Sequence, residues 1–323
     1  MPLQSNIDTL VTVYGGSGFL GRHVVRALAK RGYRIRVAVR RPDLAGHLQP
    51  LGRVGQINAV QANLRYAASV EAAARDAHVL INLVGILYER GRQSFDSVVT
   101  YGAEQVALAA NAYNARMIQV SALGADENST SHYARSKAEA EKAVLATVPG
   151  AIIMRPSLLF GPEDNFFNRF AAMARFLPVL PLVGGGLTRF QSVFAGDVAT
   201  AIADVVDGKA KGGTTYELGG PEVRTFKELM EFVLATIERR RLLVPLPFGL
   251  ARFKAQFLQF LPNPPLTPDQ VEMLKTDNVV SDAAIREKRT LAAFVPEPAA
   301  MEAIVPSYLW RFRKTGQFRD RVA

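Results

Sequence analysis

The chain has 323 residues, 49% apolar and 21% charged, and 39 Lys plus Arg against 29 Asp plus Glu give a formal charge of +10. That is globular composition. The length suits one large α/β domain or a domain with a smaller cap, which excludes a disordered chain and a peptide-sized binding module. Cysteine is absent, which excludes a disulfide framework, thiolate zinc sites, iron–sulfur ligation and a cysteine nucleophile. No apolar run is long enough to span a bilayer, the nearest, Ala151–Phe160, being broken by Arg155 and Pro156. The first residues lack the basic start and apolar run of a signal peptide. The expectation is a soluble protein of a reducing compartment, whose positive balance suits a phosphate-bearing ligand, anionic lipid or nucleic acid.

In chain order, Thr9–Tyr14 reads as a strand, Arg22–Lys30 as a helix, Arg34–Val39 and Ile57–Gln61 as strands, Ser69–Ala77 as a helix and Val79–Val84 as a strand. Phe95–Ala112 reads as a long helix, Arg116–Ser121 as a strand, Tyr133–Thr147 as a helix and Ala151–Arg155 as a strand. Parallel neighbours need crossover connections, so this alternation predicts an α/β fold with a doubly wound, Rossmann-type parallel sheet. After Arg155 the texture changes. Pro156, Pro162, Pro178 and Pro181 punctuate a segment around a helical Phe166–Phe176. Phe190–Val206 and Thr214–Leu218 return to the sheet, and Thr225–Arg239 is a further helix. The expected division is a sheet domain of residues 1–155 and 188–220, and a smaller, mostly helical cap of residues 156–187 and 221–323.

Gly15, Gly16, Ser17, Gly18, Phe19, Leu20 and Gly21 follow the first strand and open the first helix. The spacing reads as G-x-x-G-x-x-G and contains G-x-G-x-x-G. Early glycines permit a tight turn, Gly18 lets a pyrophosphate approach the helix N-terminus, and Gly21 lets that helix pack close to the sheet. A dinucleotide is therefore the expected ligand. The second strand ends in Arg40 and Arg41, with no carboxylate until Asp43. An acidic residue there would bond a ribose 2′-hydroxyl, whereas guanidinium groups attract a 2′-phosphate, so the predicted cofactor is NADPH. The alternative is two solvated arginines. Asn63 and Leu64 follow the third strand, where a residue contacts adenine, and Val84 and Gly85 end the fourth, beside the ribose.

Ser121 ends the fifth strand, and Tyr133 and Lys137 lie four apart at the start of the next helix, hence on one face. A buried ammonium beside a phenol favours the phenolate. Such a Tyr can exchange a proton with a substrate hydroxyl while hydride moves to or from a nicotinamide, with Ser121 holding the substrate oxygen. The four histidines, His23, His47, His78 and His132, form no spaced ligand set, so no metal is expected. Basic residues are spread without a recognition motif, so nucleic acid is not an expected partner.

From Thr9 to about Leu218 these residues, with Arg155-Pro156-Ser157, resemble the extended short-chain dehydrogenase/reductase superfamily. That resemblance implies cofactor contacts from Arg155, Pro156 and Ser157, and from Lys137 to the nicotinamide ribose. A narrower one runs nearly the whole chain. His78–Gly85, Phe160–Phe170, Pro181–Gln191, Tyr216–Pro221 and Pro265–Gln270 are similar to the NADPH-binding accessory subunits of respiratory complex I. This implies a structural, non-redox-active NADPH and partners in the peripheral arm of the complex near the membrane. It places the chain on the cytoplasmic face of a bacterial inner membrane, or on the matrix side in a mitochondrion. Asn63 stands where many active relatives carry Asp. The alternative is a free NADPH-dependent reductase, epimerase or dehydratase using Ser121, Tyr133 and Lys137.

In the cap, Phe253, Phe257 and Leu261 share a helical face flanked by Arg252 and Lys254. They are expected to cover the domain's own core, with contact to anionic lipid or a partner helix as the alternative. Tyr308, Trp310 and Phe312 alternate with Arg311, Arg313 and Lys314, a pattern suited to docking on a subunit or anionic surface, or to a solvated tail.

Overall fold

The computed structural model describes residues 6–316. The chain forms β1 (Leu10–Tyr14), α1 (Phe19–Lys30), β2 (Arg34–Val39), β3 (Ile57–Gln61), α2 (Ala67–Ala74), β4 (Val79–Asn82), α3 (Tyr101–Ala112), β5 (Arg116–Val120), α4 (His132–Thr147) and β6 (Ile152–Pro156). There follow β7 (Leu159–Phe160), α5 (Phe167–Phe176), β8 (Val179–Val183), β9 (Arg189–Phe190), β10 (Val193–Phe194), α6 (Ala195–Val206), β11 (Thr215–Leu218), β12 (Arg224–Thr225), α7 (Phe226–Thr236), β13 (Leu242–Leu246), α8 (Phe248–Leu258), α9 (Pro268–Met273) and α10 (Asp282–Arg286). Among the described residues no helix is long and apolar enough to cross a membrane.

Seven strands build one parallel sheet in the order β11-β6-β5-β4-β1-β2-β3. An interior strand, β1, is buried at every position, which is why it is apolar apart from Thr12 and the Tyr14 hydroxyl. Its two hydroxyls find partners: Thr12 donates to the Ala73 carbonyl at 3.0 Å and Tyr14 to that of Val70 at 2.7 Å. Helix α1 turns Leu20, Val24, Val25, Leu28 and Ala29 inward and keeps Arg26 and Lys30 outside, the 3.6-residue pattern its sequence carries. The run predicted as one helix from Phe95 begins instead with a π-helical turn, Asp96–Thr100.

The chain divides into two compact units. The first comprises the residues up to Pro156, Gly196–Leu218 and Asp282–Pro296; the second comprises Ser157–Ala195, Gly219–Ser281 and the residues from Glu297. The sequence places 188–220 with the sheet and 221–323 with the cap, whereas 188–195 lies in the second unit and Asp282–Pro296 lies with the sheet. The reason is the edge strand β11. Its Glu217 amide donates to the Arg289 carbonyl at 2.9 Å, Arg289 donates to the Thr215 carbonyl at 2.6 Å, and Phe294 meets the Tyr216 ring edge-on at 4.9 Å. An edge otherwise presents unpaired backbone groups.

The second unit is not purely helical. It holds the two-stranded pairs β7–β10, β9–β12 and β8–β13. Its core gathers Phe160, Phe167, Phe226 and Met230 with Tyr308, Leu309 and Phe312. The aromatic tail is thus core rather than a docking surface or a solvated tail. Tyr308 donates to the buried Asp164 carboxylate at 2.5 Å, and Arg239 donates to the Phe312 carbonyl at 3.0 Å. Helix α8 reverses the other expectation. Ala251 and Ala255 pack against Val183 and Val271, while Phe253, Phe257 and Phe260 are 58%, 64% and 82% exposed.

Candidate functional site

The glycine loop joins β1 to α1 as a close-packed turn. Gly15 sits at φ +79°, and the Gly18 amide donates back to its carbonyl at 3.0 Å. A Cβ on Gly21 would lie 2.4 Å from the Gly15 oxygen and 2.6 Å from Gly16, so nothing larger than glycine fits where the helix crosses the loop. A Cβ on Gly18 would meet only the Gly15 oxygen, at 3.2 Å; elsewhere that face is open for a ligand. Gly18 is the N-cap and supplies no side-chain cap. The first amides of α1, from Phe19 and Leu20, therefore remain suited to an anion. The Leu20 side chain is buried in the core, and the Phe19 ring stands edge-on to His23 at 5.7 Å.

A cavity of about 270 Å³ opens at the carboxyl ends of β1 to β4, where β1 lies between β2 and β4 and the strand order reverses. This is the crevice at which doubly wound sheets take their ligands. Ser17, Gly18, Arg40, Asn63, Val84 and Gly85 line it, and no Asp or Glu does. Arg40 is extended toward Gln93, donating to its Oε1 at 2.7 Å. Arg41 is not brought to the cavity. It makes two hydrogen bonds to Asp43, of 3.0 and 2.7 Å, and these hold the Asp43 carboxyl below the usual carboxylate range. The expected arginine pair is therefore split, because a carboxylate two residues on captures one member.

Asn63 braces its own loop. Its Oδ1 accepts the Arg65 amide at 3.2 Å and its amide donates to Ser69 at 3.0 Å. Leu64 lines the cavity and packs against Gly102, where a Cβ would come within 2.9 Å of it. Arg65 and Gln93 also line the cavity and were missed from sequence. Arg65 had one available signal, its place immediately after Asn63 and Leu64; Gln93 had none.

Ser121, Tyr133 and Lys137 lie at the carboxyl end of β5 and in the first two turns of α4. Ser131 caps that helix, accepting the Ala134 amide at 3.2 Å. Ser121 Oγ is buried without a hydrogen-bond partner. Lys137 is also buried; its Nζ donates to the Val120 carbonyl at 3.4 Å and lies 5.8 Å from the centre of the Tyr133 ring. Burial pulls the Lys137 ammonium down to about 8, against the opposing pull of Glu141. The Tyr133 ring is held edge-on by Phe95 at 5.7 Å.

The residues implied by the wider resemblance at the end of β6 are engaged elsewhere. Arg155 grips Glu141 with bonds of 2.9 and 2.6 Å and lies 3.9 Å from Glu217. Pro156 sits in register with Leu218 of β11. Ser157 donates to Asn278 Oδ1 at 2.6 Å. Arg155 and Ser157 thus bond internal acceptors, and Pro156 has no N–H to donate.

The model of the NAD dependent epimerase/dehydratase family matches residues 11–219, from β1 to the sheet's last strand. The chain belongs to that family. Within it, the chain is 40% identical over 297 residues to a protein of Arabidopsis thaliana named NADH dehydrogenase [ubiquinone] 1 alpha subcomplex subunit 9, mitochondrial, covering 88% of this chain and 74% of that one. It is also 40% identical over 174 residues, 54% of each chain, to a Caulobacter vibrioides protein named ceramide reductase. Among solved members of the fold, a Citrobacter triphenylmethane reductase complexed with NADP(H) superposes with a TM-score of 0.72 at 18% identity, covering 92% of this chain and 99% of that one.

Proposed function

We propose that this family member is an accessory subunit of respiratory complex I that retains NADPH as a structural cofactor. The observation that carries the cofactor reading is the cavity itself: a glycine cradle open at Gly18, a free helix start, Arg40 at the ribose end and no lining carboxylate. The assembly reading is supported by the relative's name and by identity over most of both chains. The loop amides would hold the pyrophosphate, Arg40 the 2′-phosphate, and Lys137 the nicotinamide ribose. Binding to the folded chain alone stabilises it by mass action, which suits a structural role. A position in the peripheral arm beside the membrane is supported by α8, whose exposed phenylalanines are flanked by Arg252 and Lys254. That combination suits an anionic lipid surface. Purification of the tagged full-length chain from its own cells tests this. Complex I subunits and NADPH should be identified with it by mass spectrometry; a free protein, or one carrying NAD instead, would overturn the proposal.

The unpartnered Ser121 Oγ favours a second reading, a carbonyl reductase. A bound nicotinamide would supply hydride chemistry. Ser121 would donate a hydrogen bond to the substrate oxygen, Tyr133 would give it a proton, and the Lys137 ammonium would favour the resulting phenolate. Tyr133→Phe separates the readings. A reductase loses turnover, whereas an accessory subunit keeps its cofactor and assembly.

A further inference from the structure

Two arginines line the cavity from neighbouring strand ends, Arg40 after β2 and Arg65 after β3. One short segment holds both. Arg40 Nη1 donates to Gln93 Oε1 at 2.7 Å, and Arg65 Nη1 donates to the Arg92 carbonyl at 3.0 Å. That segment is a tight turn, in which the backbones of Arg90 and Gln93 exchange hydrogen bonds of 2.9 and 3.1 Å around Gly91 at φ +57°. Arg65 is also fixed at its base, where Asn63 accepts its amide, and its guanidinium lies 5.8 Å from the Tyr66 ring. The acceptors on both arginines are neutral, a side-chain amide and a backbone carbonyl. Arg41, by contrast, already carries the Asp43 carboxylate.

We infer that Arg65, not Arg41, is the second cation of the 2′-phosphate site, and that Gln93 and the Arg92 carbonyl are placeholders holding the two guanidinium groups until phosphate oxygens take their donors. The inference rests on the NADPH reading. A phosphomonoester presents three acceptor oxygens and close to two negative charges, enough for two guanidinium forks. Exchanging a neutral acceptor for a phosphate oxygen strengthens a hydrogen bond, whereas Arg41 would first have to release its two hydrogen bonds to Asp43. Ordering both side chains before the ligand arrives also lowers the entropic cost of binding.

NADPH and NADH binding to the full-length chain, followed by nicotinamide fluorescence, tests this. Arg65→Gln is expected to weaken NADPH by about tenfold or more, one charge-assisted hydrogen bond, while NADH stays within about twofold. Unchanged NADH binding also reports an intact fold. Arg65→Lys keeps the charge without the fork and should fall between wild type and Arg65→Gln. Arg41→Gln should keep the wild-type preference. The inference is overturned if Arg65→Gln weakens both nucleotides equally, if it leaves the preference intact, or if Arg41→Gln takes the loss. A wild-type chain that does not discriminate between the nucleotides overturns the NADPH reading itself.

Discussion

Replacing Lys137 with methionine should make the cofactor-free protein more stable while weakening its hold on the nucleotide. The ammonium is buried, and its nearest carboxylate, Glu141, already serves Arg155. Methionine therefore removes a desolvated charge without leaving a carboxylate unpaired, at the loss of the hydrogen bond to the Val120 carbonyl. The drop from the ordinary lysine value of 10.5 to about 8 corresponds to about 3 kcal/mol between the folded and unfolded chains. Between pH 8 and 10.5 the folded chain has released a proton that the unfolded chain keeps, so stability rises with pH across that window. At pH 7 the cost of the buried charge is present in full. Urea unfolding of the nucleotide-free protein from pH 7 to 9.5 should show wild-type stability climbing above pH 8 and a flat Lys137→Met profile. The variant should lead by about 1–3 kcal/mol at pH 7, once the lost hydrogen bond to Val120 is deducted. The scan stops below pH 10 because Tyr14 and Tyr33 are held above the ordinary phenol value by burial. Their contribution is present below pH 10 and is lost as pH rises beyond it. Parallel profiles for the two proteins would refute the reasoning, because they would mean that the folded chain carries the charge at no cost.

Gly21→Ala forces a Cβ to within 2.4 Å of the Gly15 oxygen; it should destabilise the chain by about 1–3 kcal/mol and abolish nucleotide retention, read by thermal unfolding and by nucleotide content after purification. Glu141→Gln breaks the largely buried pair with Arg155 and should cost about 3 kcal/mol by urea unfolding. Tyr308→Phe removes the hydroxyl on the buried Asp164 and should lower stability by about 1–3 kcal/mol, checked by the same measurement. NADPH at a hundredfold excess over its Kd should raise wild-type stability by about 2.7 kcal/mol in a thermal shift assay, and that gain should shrink in Arg40→Ala.

The sheet and its glycine turn were legible because their signals are local. β1 is buried throughout, and the Gly15–Gly21 spacing answers contacts made inside one turn. What failed depends on which partner each side chain finds in the folded chain. An Arg after a strand looks the same in sequence whether it lines a cavity, as Arg40 does, or closes on a carboxylate, as Arg41 and Arg155 do. Helical periodicity grouped Phe253 with Phe257 correctly but carried no information on which face is covered; two alanines, Ala251 and Ala255, take the interior because their small side chains permit close approach. The aromatic and basic tail was undecidable without Asp164, 144 residues away from Tyr308, which draws the phenol inward.

The last contribution to the parallel sheet's edge comes from Asp282–Pro296. During synthesis, β11 emerges long before the segment that covers its outer backbone. A nascent chain therefore carries a bare strand edge until Asp282–Pro296 has left the ribosome. That interval is when an unpaired edge invites association with other chains, and a stop codon shortly before Asp282 would make the exposure permanent.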